Sequence, residues 1–246
     1  MGVVTGKGLM DLIREIFGVR WTAFAVVGLL IANIAAVIAN IGGVASGLEI
    51  FGLSRYIGVP IIAIFVLILV RRGSYRIVER TLLVVSLVVL SYIASAIIAK
   101  PDWGLVIKKT FVPSIQFSPD YLMLCIAFVG TTIAPWMLFF IQSLIVDKGL
   151  TVKHIRVARW EVWLSSFLSD YAISFFIIVA CASTLFREGI RIESISDAAF
   201  ALRPLAGNLC FVLFGVGILS ASILATFLLP IASAYAICEA FGFQRG

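Results

Sequence analysis

Charge is scarce in this sequence. Lys, Arg, Asp and Glu make up 13% of 246 residues, about half the quarter typical of a soluble domain. Hydrophobic residues fill 62% of the chain and the mean hydropathy is +1.13. An ordinary soluble domain is excluded. The composition is that of an integral membrane protein, in which burial means packing within lipid. Histidine is nearly absent: His154 stands alone in a basic loop, without H-x-x-x-H spacing or neighbouring cysteines, and reads as a solvated residue. No Ser-His-Asp set, glycine-rich phosphate loop or paired carboxylate at depth occurs, so nothing points to an enzyme or a bound cofactor. The cysteines, Cys125, Cys181, Cys210 and Cys238, form no C-x-x-C pair and lie in or beside apolar runs. They read as small buried hydrophobes, not as disulfides or metal ligands. Residues 2–20 carry Lys7, Asp11, Arg14, Glu15 and Arg20 and lack the apolar core of a signal peptide. The net charge of +6 comes from short loops without aromatic-basic interleaving. It reads as topology signals and headgroup contacts, not as a nucleic-acid surface.

What the chain has is long apolar runs. Six spans can be drawn, at 21–48, 56–70, 81–99, 121–146, 162–186 and 209–238, each near the ~20 residues a membrane helix needs. The expected fold is an all-α polytopic membrane protein, with 1–246 as one transmembrane domain. Pro230 is expected to bend the last span. Twelve basic residues fall before the first span, in every second loop and after the last span; seven fall on the other side. The positive-inside rule puts the richer side, with both ends of the chain, in the cytoplasm of a plasma (inner) membrane. Residues 100–120, punctuated by Pro101, Pro113 and Pro119, read as an external loop with an interfacial turn. Residues 149–161, basic and aromatic, read as cytoplasmic interface.

The fourth span carries a breaker at its middle: Gly130-Thr131-Thr132-Ile133-Ala134-Pro135-Trp136. Proline lacks an N–H and clashes with the preceding turn, and glycine weakens a helix. In hydrocarbon an unpaired carbonyl costs several kcal/mol, so broken backbone survives only beside protein or a wet cavity. Gly130 and Pro135 are the expected breakers. Unwinding between Thr131 and Ala134 frees the Thr131 carbonyl to face a cation; a plain proline kink is the alternative. Gln142, with Ser143 beside it, follows on the cytoplasmic half and reads as lining an exit. Asn33 and Asn40, seven apart, share one helix face, either as helix–helix glue or as a polar wall beside a pathway. Asp170 is the one acidic residue read as lying well inside a span, which makes it a pathway candidate by default; contact with a basic loop is the simpler role.

With these residues in place the chain resembles a known family. Gly2-Val3-Val4-Thr5-Gly6-Lys7-Gly8-Leu9 through Arg14-Glu15-Ile16-Phe17-Gly18 looks like the cytoplasmic loop between the second and third helices of NRAMP-type divalent metal transporters. Ala39-Asn40-Ile41-Gly42-Gly43 and Leu48-Glu49-Ile50-Phe51-Gly52 look like the third helix and its end. Thr131-Thr132-Ile133-Ala134-Pro135-Trp136 sits where the family carries A-x-x-M-P-H in a broken sixth helix. The resemblance implies a partial LeuT-like inverted-repeat fold, covering the third to eighth helices, as a fragment that lacks N- and C-terminal helices and is not expected to transport alone.

The departures from the pattern carry the specificity argument. Ala134 replaces the methionine sulfur, which favours softer ions over hard Mg²⁺. Trp136 stands for a proton-pathway histidine, and Asn40 for an acidic residue. This pattern resembles the NRAMP-related magnesium branch. It implies Mg²⁺, and also Mn²⁺, held by the Thr131 carbonyl with room for water at Ala134, and moved by alternating access without proton coupling. The alternatives are a proton-coupled Mn²⁺/Fe²⁺ carrier, an organic-substrate permease of the same fold, and a non-transporting membrane scaffold or partner subunit. The expected partners are the metal ion, the bilayer and the missing helices.

Overall fold

The structure is a computed structural model that describes residues 1–72, 91–112, 115, 117–168, 171, 174–186, 189 and 195–243. Among these residues there are helices and connecting turns and no strand. In chain order they are α1 (Gly2–Thr5), α2 (Leu9–Phe17), α3 (Val19–Ile50), α4 (Arg55–Arg72), α5 (Ser91–Ile98), α6 (Trp103–Phe111), α7 (Pro119–Thr132), α8 (Pro135–Asp147), α9 (Ile155–Ser166), α10 (Ser174–Cys181) and α11 (Ile195–Phe241).

Three stretches among the described residues are long and apolar enough to cross a bilayer: Val19–Ile50, Pro119–Asp147 and Gly207–Phe241. These are the first, fourth and last of the six expected spans. The second appears as a shorter apolar helix, Arg55–Ile68. Of the third, residues 81–90 lie outside the described residues and α5 is its remainder. The fifth starts earlier than its hydropathy suggests. Residues 155–161, expected at an interface, already belong to α9, and residues 169–170 and 172–173 lie outside the described residues. Asp170 and the loop residues Arg76, Arg80, Arg187, Arg191 and Arg245 lie outside them too.

Three expectations are corrected. Residues 103–111, read as loop, form α6, because the flanking prolines bracket a helix without entering it. Pro230 leaves the backbone helical; the departure within α11 is at Gly207, with φ 87° and ψ 170°. That region is open essentially to glycine alone. Cys125 is exposed on the apolar surface of α7 instead of buried; of the four cysteines only Cys210 is fully buried, and none of them is in a disulfide. His154 is exposed in a single 3₁₀ turn, its Nδ1 within hydrogen-bond distance of the Thr151 amide at 3.3 Å.

The chain divides into two compact units. One comprises Met1–Ala36, Val112–Glu161 and Leu228–Gly246; the other Val37–Phe111 and Val162–Phe227. In the first unit, Met10, Val26, Leu29 and Ala236 form a buried apolar cluster, flanked by Trp136, Phe139 and Ile13. Asn33 is buried within this unit and its Nδ2 donates to Ser233 Oγ at 2.8 Å. In the second unit, Ile50, Leu185, Cys210, Phe211, Phe214 and Ile218 pack together, with Ile98, Ile177 and Cys181 against them. Here α3 and α11 approach closely: a Cβ on Gly47 would stand 3.1 Å from Leu219 Cβ. Small residues are what allow such contact between membrane helices.

Candidate functional site: a broken membrane helix

Helix α7 begins with ordinary capping. Ser118 Oγ accepts the Tyr121 amide at 3.3 Å, and Pro119 occupies the first helical position. It ends at Thr132. The Ile133 amide still bonds the Val129 carbonyl at 2.9 Å, but Ile133 has φ −98° and ψ 65°, and Ala134 is extended at φ −72° and ψ 122°. Helix α8 restarts at Pro135, with the Met137 amide turned to the Ala134 carbonyl at 3.1 Å. The interruption is therefore a true change of backbone at Ile133 and Ala134. Gly130, expected to share in it, stays inside α7; Pro135 bears the cause.

The carbonyl of Thr131 would receive the amide four residues on in a continuous helix. That residue is Pro135, which has none. The two threonine hydroxyls are already committed, Thr131 Oγ1 at 2.9 Å and Thr132 Oγ1 at 2.8 Å from the Phe128 carbonyl. Both hydroxyl protons are spent on that carbonyl, while the Thr131 peptide oxygen is the group that loses its helical donor. It also lies at the C-terminal, partially negative end of α7, the end that favours a cation. Gly130, Thr131 and Thr132 are exposed, and the most apolar stretch of the span Pro119–Asp147 contains no residue buried within this chain. Among the described residues no three His, Cys, Asp or Glu side chains gather as a metal-ligand group. Whatever the break binds would meet peptide oxygens and water.

The other sequence candidates divide. Ala134 and Trp136 are half-buried. The Trp136 ring packs beside the first unit's apolar cluster and tilts against Phe140, with centroids 6.3 Å apart. Asn40 is half-buried on α3 in the other unit. Gln142 does not stand open to a path. It is buried, and its Nε2 donates to the Lys7 carbonyl at 3.1 Å.

A residue missed from sequence stands out next to it. Glu239, one position beyond the last span as drawn, is 1% exposed within α11. Its Oε1 accepts Ser143 Oγ at 2.5 Å and its Oε2 accepts the Met10 amide at 3.2 Å. The signal was an acidic residue directly abutting an apolar run, and a span drawn slightly too short put it outside. Glu239 stands two residues from the end of the span Gly207–Phe241, and Asp170 itself lies outside the described residues.

The profile of the natural resistance-associated macrophage protein-like family, Nramp, matches residues 1–246. Similar curated proteins include the divalent metal cation transporter MntH of Caldanaerobacter subterraneus subsp. tengcongensis, 25% identical over 89% of this chain and 54% of that protein. The MntH of Vibrio campbellii is 27% identical over 91% of this chain and 54% of its own length. That of Brucella suis is 27% identical over 92% and 52%. The chain spans about half the length of the curated relatives it matches.

Proposed function

Because the chain belongs to the Nramp family, we propose that it forms part of a multi-pass transporter of divalent metal cations, with Mg²⁺, and also Mn²⁺, as the ions carried. The observation that carries this reading is the interruption at Ile133 and Ala134, with Pro135 unable to return a hydrogen bond to the Thr131 carbonyl. A cation settles against that oxygen at the negative end of α7. Ala134 brings no sulfur, so nothing there prefers a soft ion, and its small side chain leaves space for the waters that Mg²⁺ sheds reluctantly. The remaining walls of the site come from parts of the whole transporter outside residues 1–246. The side chains of Trp136 and Asn40 do not titrate near neutral pH, which supports ion entry without proton flow. The basic loops support a plasma-membrane setting with both ends of the chain on the cytoplasmic side.

The test is uptake by liposomes carrying the whole transporter, read with dyes for Mg²⁺ and for lumenal pH. Mg²⁺ entry at constant lumenal pH is the expected result. A second reading is proton-coupled Mn²⁺/Fe²⁺ transport; the relatives are called divalent metal cation transporter MntH, a name that supports a divalent metal ion as the cargo under either reading. Acidification of the lumen with Mn²⁺ uptake and no Mg²⁺ uptake would establish it instead.

A further inference from the structure

Half-helix α8 is severed from α7, so something else must fix where it stands. The polar contacts of its inner end answer this. Gln142 Nε2 holds the Lys7 carbonyl at 3.1 Å, the Asp147 carboxylate accepts the Tyr235 hydroxyl, and Ser143 Oγ donates to Glu239 at 2.5 Å. Glu239 joins more than one element at once. It sits on α11, takes Ser143 of α8 on Oε1 and takes the Met10 amide, in the first turn of α2, on Oε2. Gly8, the N-cap of α2, leaves the space the carboxyl fills: a Cβ there would stand 1.9–2.1 Å from its carbon and both oxygens. Gly8 has φ −69°, which any residue tolerates, so its need for glycine is steric.

We infer that Glu239 is a positioning residue: its carboxylate clamps α8, through Ser143, to the start of α2, through Met10, and so sets where Ala134 and Pro135 stand. The clamp as an ion-site device rests on the reading of the break given above. Ser143 lies eight residues beyond Pro135, or about 12 Å along a stiff helix, so a tilt at one end displaces the other. Burial makes the clamp firm, because a carboxylate out of water that loses a partner is costly. A side amide in its place offers one acceptor oxygen where the carboxylate offers two.

Two substitutions attack the contact from opposite sides. Glu239→Gln removes an acceptor; Gly8→Ala leaves the acid intact and pushes it off its seat. Ser143→Ala, nearly isosteric, serves as a third should either fold poorly. Spin labels at the exposed positions Ile16 on α2 and Lys148 at the end of α8 report the separation of the two elements in the reconstituted protein. The second readout is the KM for Mn²⁺ uptake by the whole transporter. The expected result is a broadened distance distribution together with a KM raised roughly three- to tenfold in all the variants that fold. A purely structural role lowers the yield and the maximal rate of folded protein and leaves KM unchanged. Distances as narrow as in the parent would overturn the clamp, and broadened distances with an unchanged KM would overturn the positioning role. Failure of the unsubstituted transporter to move any metal would sink the transport reading alone, and the distance measurement would still decide the clamp.

Discussion

Asn33 and Ser233, two hundred positions apart in the chain, meet through a 2.8 Å hydrogen bond from the Asn33 amide to the Ser233 hydroxyl. The hydroxyl in turn donates to the Leu229 carbonyl of its own helix at 2.9 Å. The contact ties α3 to α11, as the glue reading of Asn33 expects. Interhelical hydrogen bonds in membranes average near 0.6 kcal/mol, since the separated helices find other partners. A double-mutant cycle of Asn33→Ala and Ser233→Ala, followed by reversible unfolding in bicelles, should give a coupling of about 0.6 kcal/mol. A coupling indistinguishable from zero would remove Asn33 from the packing account.

Pro135→Ala restores an N–H four residues after Thr131. The freed carbonyl should be recaptured and the helix should run on through Ile133 and Ala134. Affinity for Mg²⁺ or Mn²⁺ should fall roughly tenfold or more, as one ligand is lost. Metal titration by calorimetry reads the affinity, and hydrogen exchange at residue 135 reads the new bond. A protected amide with undiminished affinity would dissociate the break from the ion.

Ala134→Met adds a soft thioether and takes up the room of a water. Uptake in mixed-ion competition should swing toward Cd²⁺ over Mg²⁺ by about an order of magnitude, equivalent to ~1.4 kcal/mol. An unchanged Cd²⁺/Mg²⁺ ratio would mean that residue 134 does not face the ion.

Gly207→Ala puts a Cβ on a backbone at φ 87° with no atom within 4 Å of it. Space is available, so the cost is backbone strain, about 1–3 kcal/mol. The loss should appear in thermal unfolding, and metal affinity should be unaltered in the fraction that remains folded.

Much of this was legible in the residues. Hydropathy located α3, the α7–α8 pair and the Gly207–Phe241 part of α11 to within a few positions, because a membrane helix must be apolar over its full length. Pro135 gave away the interruption, because a missing N–H is a covalent fact that no packing repairs. Gly130 misled, since a single glycine only lowers helix propensity and the rest of α7 overrode it. Gly207 was invisible for the converse reason: its positive φ marks a kink between two helical stretches, and nothing in composition reports a dihedral angle. Pro230 looked like a bend and is not one, as the helix tolerates it. The burial of Gln142 was not legible because its partner, the Lys7 carbonyl, is 135 residues away and belongs to the backbone. Glu239 and Gly8 were unreadable as a pair for the same reason, distance along the chain, although each was in plain view. The chemistry at Thr131 was half legible: the lost donor could be read, but the turning of both threonine hydroxyls onto Phe128 could not.

The central claim is that the peptide oxygen of Thr131 touches the ion. Thr131-Thr132 is the only Thr-Thr pair in residues 1–246, so protein grown with carbonyl-¹³C and amide-¹⁵N threonine carries one doubly labelled peptide bond within them, assigned by its loss in a Thr132→Ser control. That bond can be observed alone by solid-state NMR in liposomes holding the whole transporter. Mn²⁺ added in substoichiometric amounts should broaden this carbonyl signal beyond detection while the bulk threonine carbonyls persist, and Mg²⁺ should shift it. A Thr131 carbonyl signal that neither broadens selectively nor moves, in protein that is taking up the ion, would contradict the account.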